Sequence, residues 1–156
     1  MKTYNILSID EFKTNIENNS RLLGIDPGNR NIGFAICDEN KKVATPLKVL
    51  QKSKFTVLIK EINQIIEENH IKGIVIGNPL NMDGSSGQSA QSVKDVCKNI
   101  QKKIDTPLCL WDERLSTVGA FNITKQLDVN ISKKVKNIDK NAAAFILQGA
   151  IDYLKN

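Results

Sequence analysis

The chain has one histidine, His70, among its 156 residues. A Ser-His-Asp or Cys-His nucleophile would have to use that imidazole, which falls in a polar helix end, and no GxSxG elbow is present. Cysteine is also scarce. Cys37, Cys97 and Cys109 are odd in number and show no CxxC or CxxxxC spacing, which argues against a structural zinc site. Each lies in an apolar stretch, where a small buried hydrophobe is the simpler reading, and unpaired thiols suit a reducing compartment. No apolar run reaches the ~20 residues needed to span a bilayer. The N-terminal MKTYNILSIDEFKTNIENNS carries acids and lacks the continuous apolar core of a secretory signal. The Gly-rich run from Gly77 to Gly87 lacks the GK[ST] ending of a Walker loop. The expectation is a cytoplasmic protein that does not engage a membrane.

The remaining composition is that of an ordinary globular domain, 40% hydrophobic and 25% charged, long enough to bury a core without disulfide or metal staples. Lys and Arg exceed Asp and Glu by 22 to 17, a net charge of +5 that fits either an anionic partner such as nucleic acid or a merely soluble surface.

Periodicity predicts the elements. Ser8 and Glu11 form a capping box ahead of Ile9, Phe12 and Ile16, so residues 1–20 read as a helical appendage to a domain of 21–156. Leu22 to Asp26, Ile32 to Cys37 and Val43 to Leu50 read as three strands joined by tight turns, an antiparallel meander. Phe55, Leu58, Ile59, Ile62, Ile65 and Ile66 then follow helical spacing behind a candidate cap at Ser53. Ile74 to Ile76 is a short strand apolar on both faces, and Gly77 to Ser89 is a polar loop. Val93 to Ile104 marks another helix, and Leu108 to Trp111 another strand. Ser116 or Thr117 could cap a helix running to about Leu127, Asp128 to Asn137 reads as basic and irregular, and Ile138 to Leu154 is helical. A meander followed by βαβ units predicts an α/β domain: a mixed five-stranded sheet with helices on both faces.

Acids stand at the ends of these core elements. Asp26 closes the first strand, Asp112 and Glu113 follow the last, and Asp139 falls in the first turn of the terminal helix. Ligands gather at the carboxyl ends of parallel strands. Clustered carboxylates need cations there, and oxygen-only donors suit Mg²⁺ or Mn²⁺, which also bind phosphate oxygens and support in-line phosphoryl displacement. Each acid alone has a plainer role: Asp139 facing the helix dipole, Asp112 paired with Arg114 or capping a helix, Glu113 in a surface ion pair, Asp26 in a turn. Their coincidence on strand ends shifts the balance toward metal chemistry.

Four segments carry a resemblance. Gly24-Ile25-Asp26-Pro27-Gly28-Asn29-Arg30-Asn31-Ile32-Gly33 is similar to an opening pattern DxGxKRIG; Gly77 to Gly84 to a loop GLPLNMDG; Asp112 to Thr117 reads DERLST unchanged; and Ile138 to Gln148 is similar to VDxxAAxxILQ. Together, from about Arg21 to Leu154, they resemble the YqgF family, also called RuvX, of bacterial pre-16S ribosomal RNA nucleases. The resemblance implies a ribonuclease H-like fold and a nuclease that hydrolyses phosphodiester bonds near the 5′ end of precursor 16S ribosomal RNA. It implies Asp26, Glu113 and Asp139 as catalytic carboxylates and metal ligands for Mg²⁺ or Mn²⁺, with Asp112 in reserve because adjacent strand residues face opposite sides. Arg30, Asn81, Arg114, Lys133, Lys134 and Lys136 would meet nucleic acid, and the protein would act as a monomer or weak homodimer. Two departures stand out: Asn31 replaces the second basic residue of the opening motif, and Asn78 stands where Leu or Val is usual.

Three other readings compete. GIDPGxR also resembles the opening of RuvC resolvases, which cut branched DNA, although DERLST and NPLNMDG argue against that assignment. An actin-like ATP-binding module would need two copies of the fold. A non-catalytic RNA-binding assembly protein would keep the acids without turnover.

Overall fold

The computed structural model describes residues 6–28, 30–79, 87–112 and 131–155, the side chains of 88–90 and 131–141 excepted. Among them run α1 (Ile9–Asn15), β1 (Arg21–Pro27), β2 (Asn31–Cys37), β3 (Ala44–Gln51), α2 (Phe55–Asn69), β4 (Ile71–Asn78), α3 (Gln88–Gln101), β5 (Leu108–Asp112) and α4 (Ile131–Leu154). The five strands form one sheet in the order β3-β2-β1-β4-β5. β1, β2 and β3 pair antiparallel, as the tight turns require; β4 and β5 join β1 in parallel through the α2 and α3 crossovers.

Alternation along the central strands builds two cores. Leu23, Ile25, Ile74, Ile76 and Leu108 face α2 and α3; Leu22, Val75, Cys109 and Trp111 face α4 and α1. Both faces of β1 and β4 are therefore dry, which explains their unbroken apolar runs.

Helix α4 lies unusually close to β1. A Cβ at Gly24 would stand 2.7 Å from Leu147 Cβ and 3.0 Å from the Ala143 carbonyl oxygen, so only glycine admits this approach. The stripe Ala143, Leu147, Ala150, Ile151 is the buried face that seats there.

The N-terminal segment is tied in at several points. Ser8 and Glu11 make the expected capping box, and Phe12 is wholly buried, in the same core as Leu22 and Val75. The Leu7 amide donates to the Leu108 carbonyl at 3.1 Å, covering the outer edge of β5. The Lys41 ammonium donates to the carbonyls of Glu17 and Asn18, which holds the run into β1.

The structure corrects four boundaries. Lys54, not Ser53, is the N-cap of α2, with no side-chain cap bond. Gly77 and Asn78 belong to β4, which pairs with β5 through Asn78 and Asp112, while Gln88 and Ser89 already belong to α3. Helix α3 ends at Gln101, so Ile104 is buried beyond it rather than on it. Helix α4 begins at Ile131, so 131–137 are helical rather than irregular. No proline or glycine interrupts that run, and the seat on β1 offsets the cost of its middling propensity. The helix expected near 116–127 lies outside the described residues.

Candidate active site

Asp26 is the next-to-last residue of β1, half-buried, opposite Gly33 of β2. The Gly28 amide donates back to the Asp26 carbonyl at 3.0 Å, so the chain turns immediately after the acid. Alternation sets its direction. Leu22 and Gly24 face α4, and Asp26 follows them on the same side, whereas Ile25 faces α2 and α3.

The course of α4 determines what lies near this end. Gln148, just past the Gly24 contact, accepts from the Ala44 amide and donates to the Lys42 carbonyl, at 2.9 and 3.0 Å. Ala44 pairs with Cys37, level with the start of β1. The later turns of α4 thus lie over the beginning of β1, and its earlier turns head toward the carboxyl end, where Asp26 stands. Position 139 is one turn before Ala143 on the same helical stripe. It is also the ninth residue of α4, which removes the first-turn dipole explanation for an acid there.

Asp112 ends β5, half-buried and in register with Asn78. Leu108 and Leu110 face α2 and α3, Cys109 and Trp111 face α4, and Asp112 continues the first set. It therefore projects to the side opposite Asp26. Glu113, Arg114 and Asn81 lie outside the described residues, as do the side chains of Asp139, Lys133, Lys134 and Lys136, whose backbones belong to α4. Among the described residues no group of three His, Cys, Asp or Glu stands together for a metal.

Asn78 is 9% exposed at the same end of the sheet, and its Oδ1 has no hydrogen-bond partner among the described residues. A buried acceptor left unpaired is costly. By alternation it shares the side of Ile76 and Asp112, away from Asp26, so what fits a hard divalent ion is the donor chemistry of the expected set, Asp26, Glu113 and Asp139, all carboxylate oxygens.

Arg30 is exposed in the turn before β2, and its carbonyl accepts from the Lys52 amide at 2.8 Å. That hairpin bond brings Lys52, and next to it Lys54, to the carboxyl end of β1. Both lysines are exposed. Sequence reading missed them because nothing in the local pattern separates them from solvated charges; the β2–β3 register was the available signal.

His70 is exposed at the C-cap of α2, its backbone amide bonded to the Ile66 carbonyl. Cys37, Cys97 and Cys109 are free and buried, and burial pushes the Cys97 thiol up to about 12 and the other two upward as well. They are core residues and not nucleophiles.

A family model described as RuvX, Holliday junction resolvase, matches residues 20–153. The chain belongs to the RuvX family. A relative from Pelagibacter ubique, named "Putative pre-16S rRNA nuclease", is 58% identical over 151 residues, which cover 97% of this chain and 100% of the relative. Among solved structures, the chain resembles T. thermophilus RuvC in complex with a Holliday junction substrate, with TM-score 0.52, 12% identity and coverage of 88% and 96%. It also resembles the yeast mitochondrial Holliday junction resolvase Ydc2, with TM-score 0.51, 13% identity and coverage of 94% and 84%. At such identities the likeness is one of fold, and that fold is the ribonuclease H-like one expected for RuvX. No helix among the described residues is long and apolar enough to cross a membrane.

Proposed function

We propose that this RuvX chain is a cytoplasmic, divalent-metal-dependent nuclease that trims precursor 16S ribosomal RNA at its 5′ side. One observation carries the reading: the seat of α4 on Gly24. Asp26 lies two residues beyond that contact on the same face of β1, and position 139 lies one turn upstream of it on the same stripe of α4. A strand rises about 3.3 Å per residue and a helix about 1.5 Å, so both steps are about 6 Å in the same direction. Asp112 projects to the face opposite Asp26, away from that pair. That favours Glu113 over Asp112 as the third carboxylate.

Asp26, Glu113 and Asp139 would hold Mg²⁺ or Mn²⁺. Such ions, when bound, lower the pKa of a water nucleophile and stabilise the leaving oxygen. The residues of the chain do the rest. Asp26 anchors the site from the central strand of the sheet. Arg30, Lys52 and Lys54 flank this end with positive charge that orients the phosphate backbone, and Arg114, Asn81, Lys133, Lys134 and Lys136 extend the contact.

The test uses purified protein stripped of metal, a precursor RNA spanning the 5′ processing site and a four-way DNA junction. Mg²⁺ or Mn²⁺ restores RNA cleavage in the wild type, and Asp26→Asn abolishes it with folding and RNA binding kept. Full activity of Asp26→Asn removes the mechanism. Preference for the junction over RNA replaces the RNA reading with a resolvase-type DNA nuclease, the activity in the description of the matching family model.

A further inference from the structure

Alongside the acid, but on the other face of the sheet, a cavity of about 540 Å³ opens at the same strand ends. Its floor is Ile25 and Ile76; Phe55 and Leu58 of α2 line one side, Val93 and Val96 of α3 the other. Lys52, Ser53 and Lys54 form part of its rim. The size falls within the ~300–1,000 Å³ of sites that bury a small ligand, and is far larger than the voids tolerated in a close-packed core.

The lining is apolar with one aromatic ring, while the rim carries two exposed lysines, and the Lys52–Arg30 backbone bond sets a third exposed cationic residue beside Lys52. Helix α2 adds no competing anion here: its first turn has no acid, and its N-cap is a lysine with no side-chain cap. An apolar, aromatic interior under a cationic rim matches a nucleobase attached to its phosphate. The position agrees. Ile25 and Pro27 line the cavity, and Asp26 stands between them facing the opposite side, so a strand lying across the end of β1 reaches both the acid and the cavity within adjacent nucleotides.

We propose that this cavity receives one unstacked base of the single-stranded RNA substrate, stacked on Phe55, with the flanking phosphates on Lys52 and Lys54. The assignment rests on the nuclease reading for the identity of the strand, but its test does not need cleavage. Binding is measured by fluorescence anisotropy in EDTA, with a short single-stranded RNA and an otherwise identical oligonucleotide carrying abasic residues. Wild-type protein favours the base-bearing strand by about five- to 150-fold, the span of a single base stack. Val96→Trp, which fills the cavity, removes that preference while circular dichroism and melting stay native. Should the indole prevent folding, Phe55→Ala at the half-buried first residue of α2 reads the same preference. Lys52→Ala with Lys54→Ala weakens both strands by a common factor and lowers the slope of log affinity against log salt by about 1.4, about 0.7 for each lost contact on a single strand. Equal binding of the two strands by the wild type overturns the proposal, as does an undiminished preference in folded Val96→Trp. RNA cleavage that survives with no base preference refutes the cavity alone. A base preference in a protein that cleaves nothing with metal refutes the hydrolytic reading alone.

Discussion

Replacing Gly24 with alanine puts a methyl group 2.7 Å from Leu147 Cβ and 3.0 Å from the Ala143 carbonyl oxygen. Neither neighbour can swing away, because one is the first atom of a side chain and the other is helix backbone. Restoring ordinary van der Waals contact moves α4 off the sheet by about 1 Å, against a core that transmits strain rather than absorbing it. Overpacking of this kind costs about 1–3 kcal/mol, or roughly 2–12 °C in melting temperature for a chain of this length. The same displacement carries position 139 away from Asp26, and about 1 Å of misplacement can cost on the order of a hundredfold in rate. Gly73→Ala is the control. There the methyl meets the ring tip of Phe12 and a terminal methyl of Leu22, and Phe12→Leu can make room. The assay is thermal melting with metal-dependent cleavage measured well below both transitions. Gly24→Ala with wild-type stability refutes the close seat of α4, and Gly24→Ala that is destabilised but fully active refutes the idea that this seat positions a catalytic acid.

Glu113→Gln should abolish cleavage while Asp112→Asn retains most of it, because Asp112 projects to the face of the sheet opposite Asp26; the reverse result in RNA cleavage assays would reassign the ligand. Phe12→Ala should cost about 3–5 kcal/mol in urea unfolding, since its ring is wholly buried under Gly73; a neutral outcome would mean α1 contributes nothing to the core. Native protein at pH 8 should react slowly with a disulfide thiol reagent, and all three cysteines quickly once unfolded. Because burial raises the Cys97 thiol to about 12, its contribution to stability is complete below the unfolded thiol range and declines as pH rises from about 8.5 toward 12. The stability difference between wild type and Cys97→Ala should therefore shrink across that window in denaturant titrations; a constant difference would contradict the burial.

Legibility varied with how local each signal was. The capping box at Ser8 and Glu11, the β1–β3 meander and the amphipathic stripe of α2 were readable because turn chemistry and periodicity act over a few residues. Ser53 was misread as the cap since a serine before a helical stripe is the usual pattern, and only the backbone dihedrals place Lys54 there. The start of α4 was misplaced for a different reason. Residues 131–137 are polar and basic, with weak amphipathic pattern, and their helix is propagated from the tightly seated turns that follow. The lysines at 52 and 54 looked like any solvated charges until the β2–β3 register set them beside Arg30.

Taken alone, the sequence determined which residues alternate, where the chain must turn, and that Asp26, Glu113 and Asp139 are worth suspecting, because propensity and motif chemistry are written in short windows. It could not say which acids share a side. That depends on the parity of β1 and β5, on a glycine that lets α4 settle onto β1, and on the direction in which that helix runs. Those are relations between segments eighty or more residues apart, and only packing in three dimensions sets Asp26 and Asp112 on opposite faces of the sheet and seats α4 over β1.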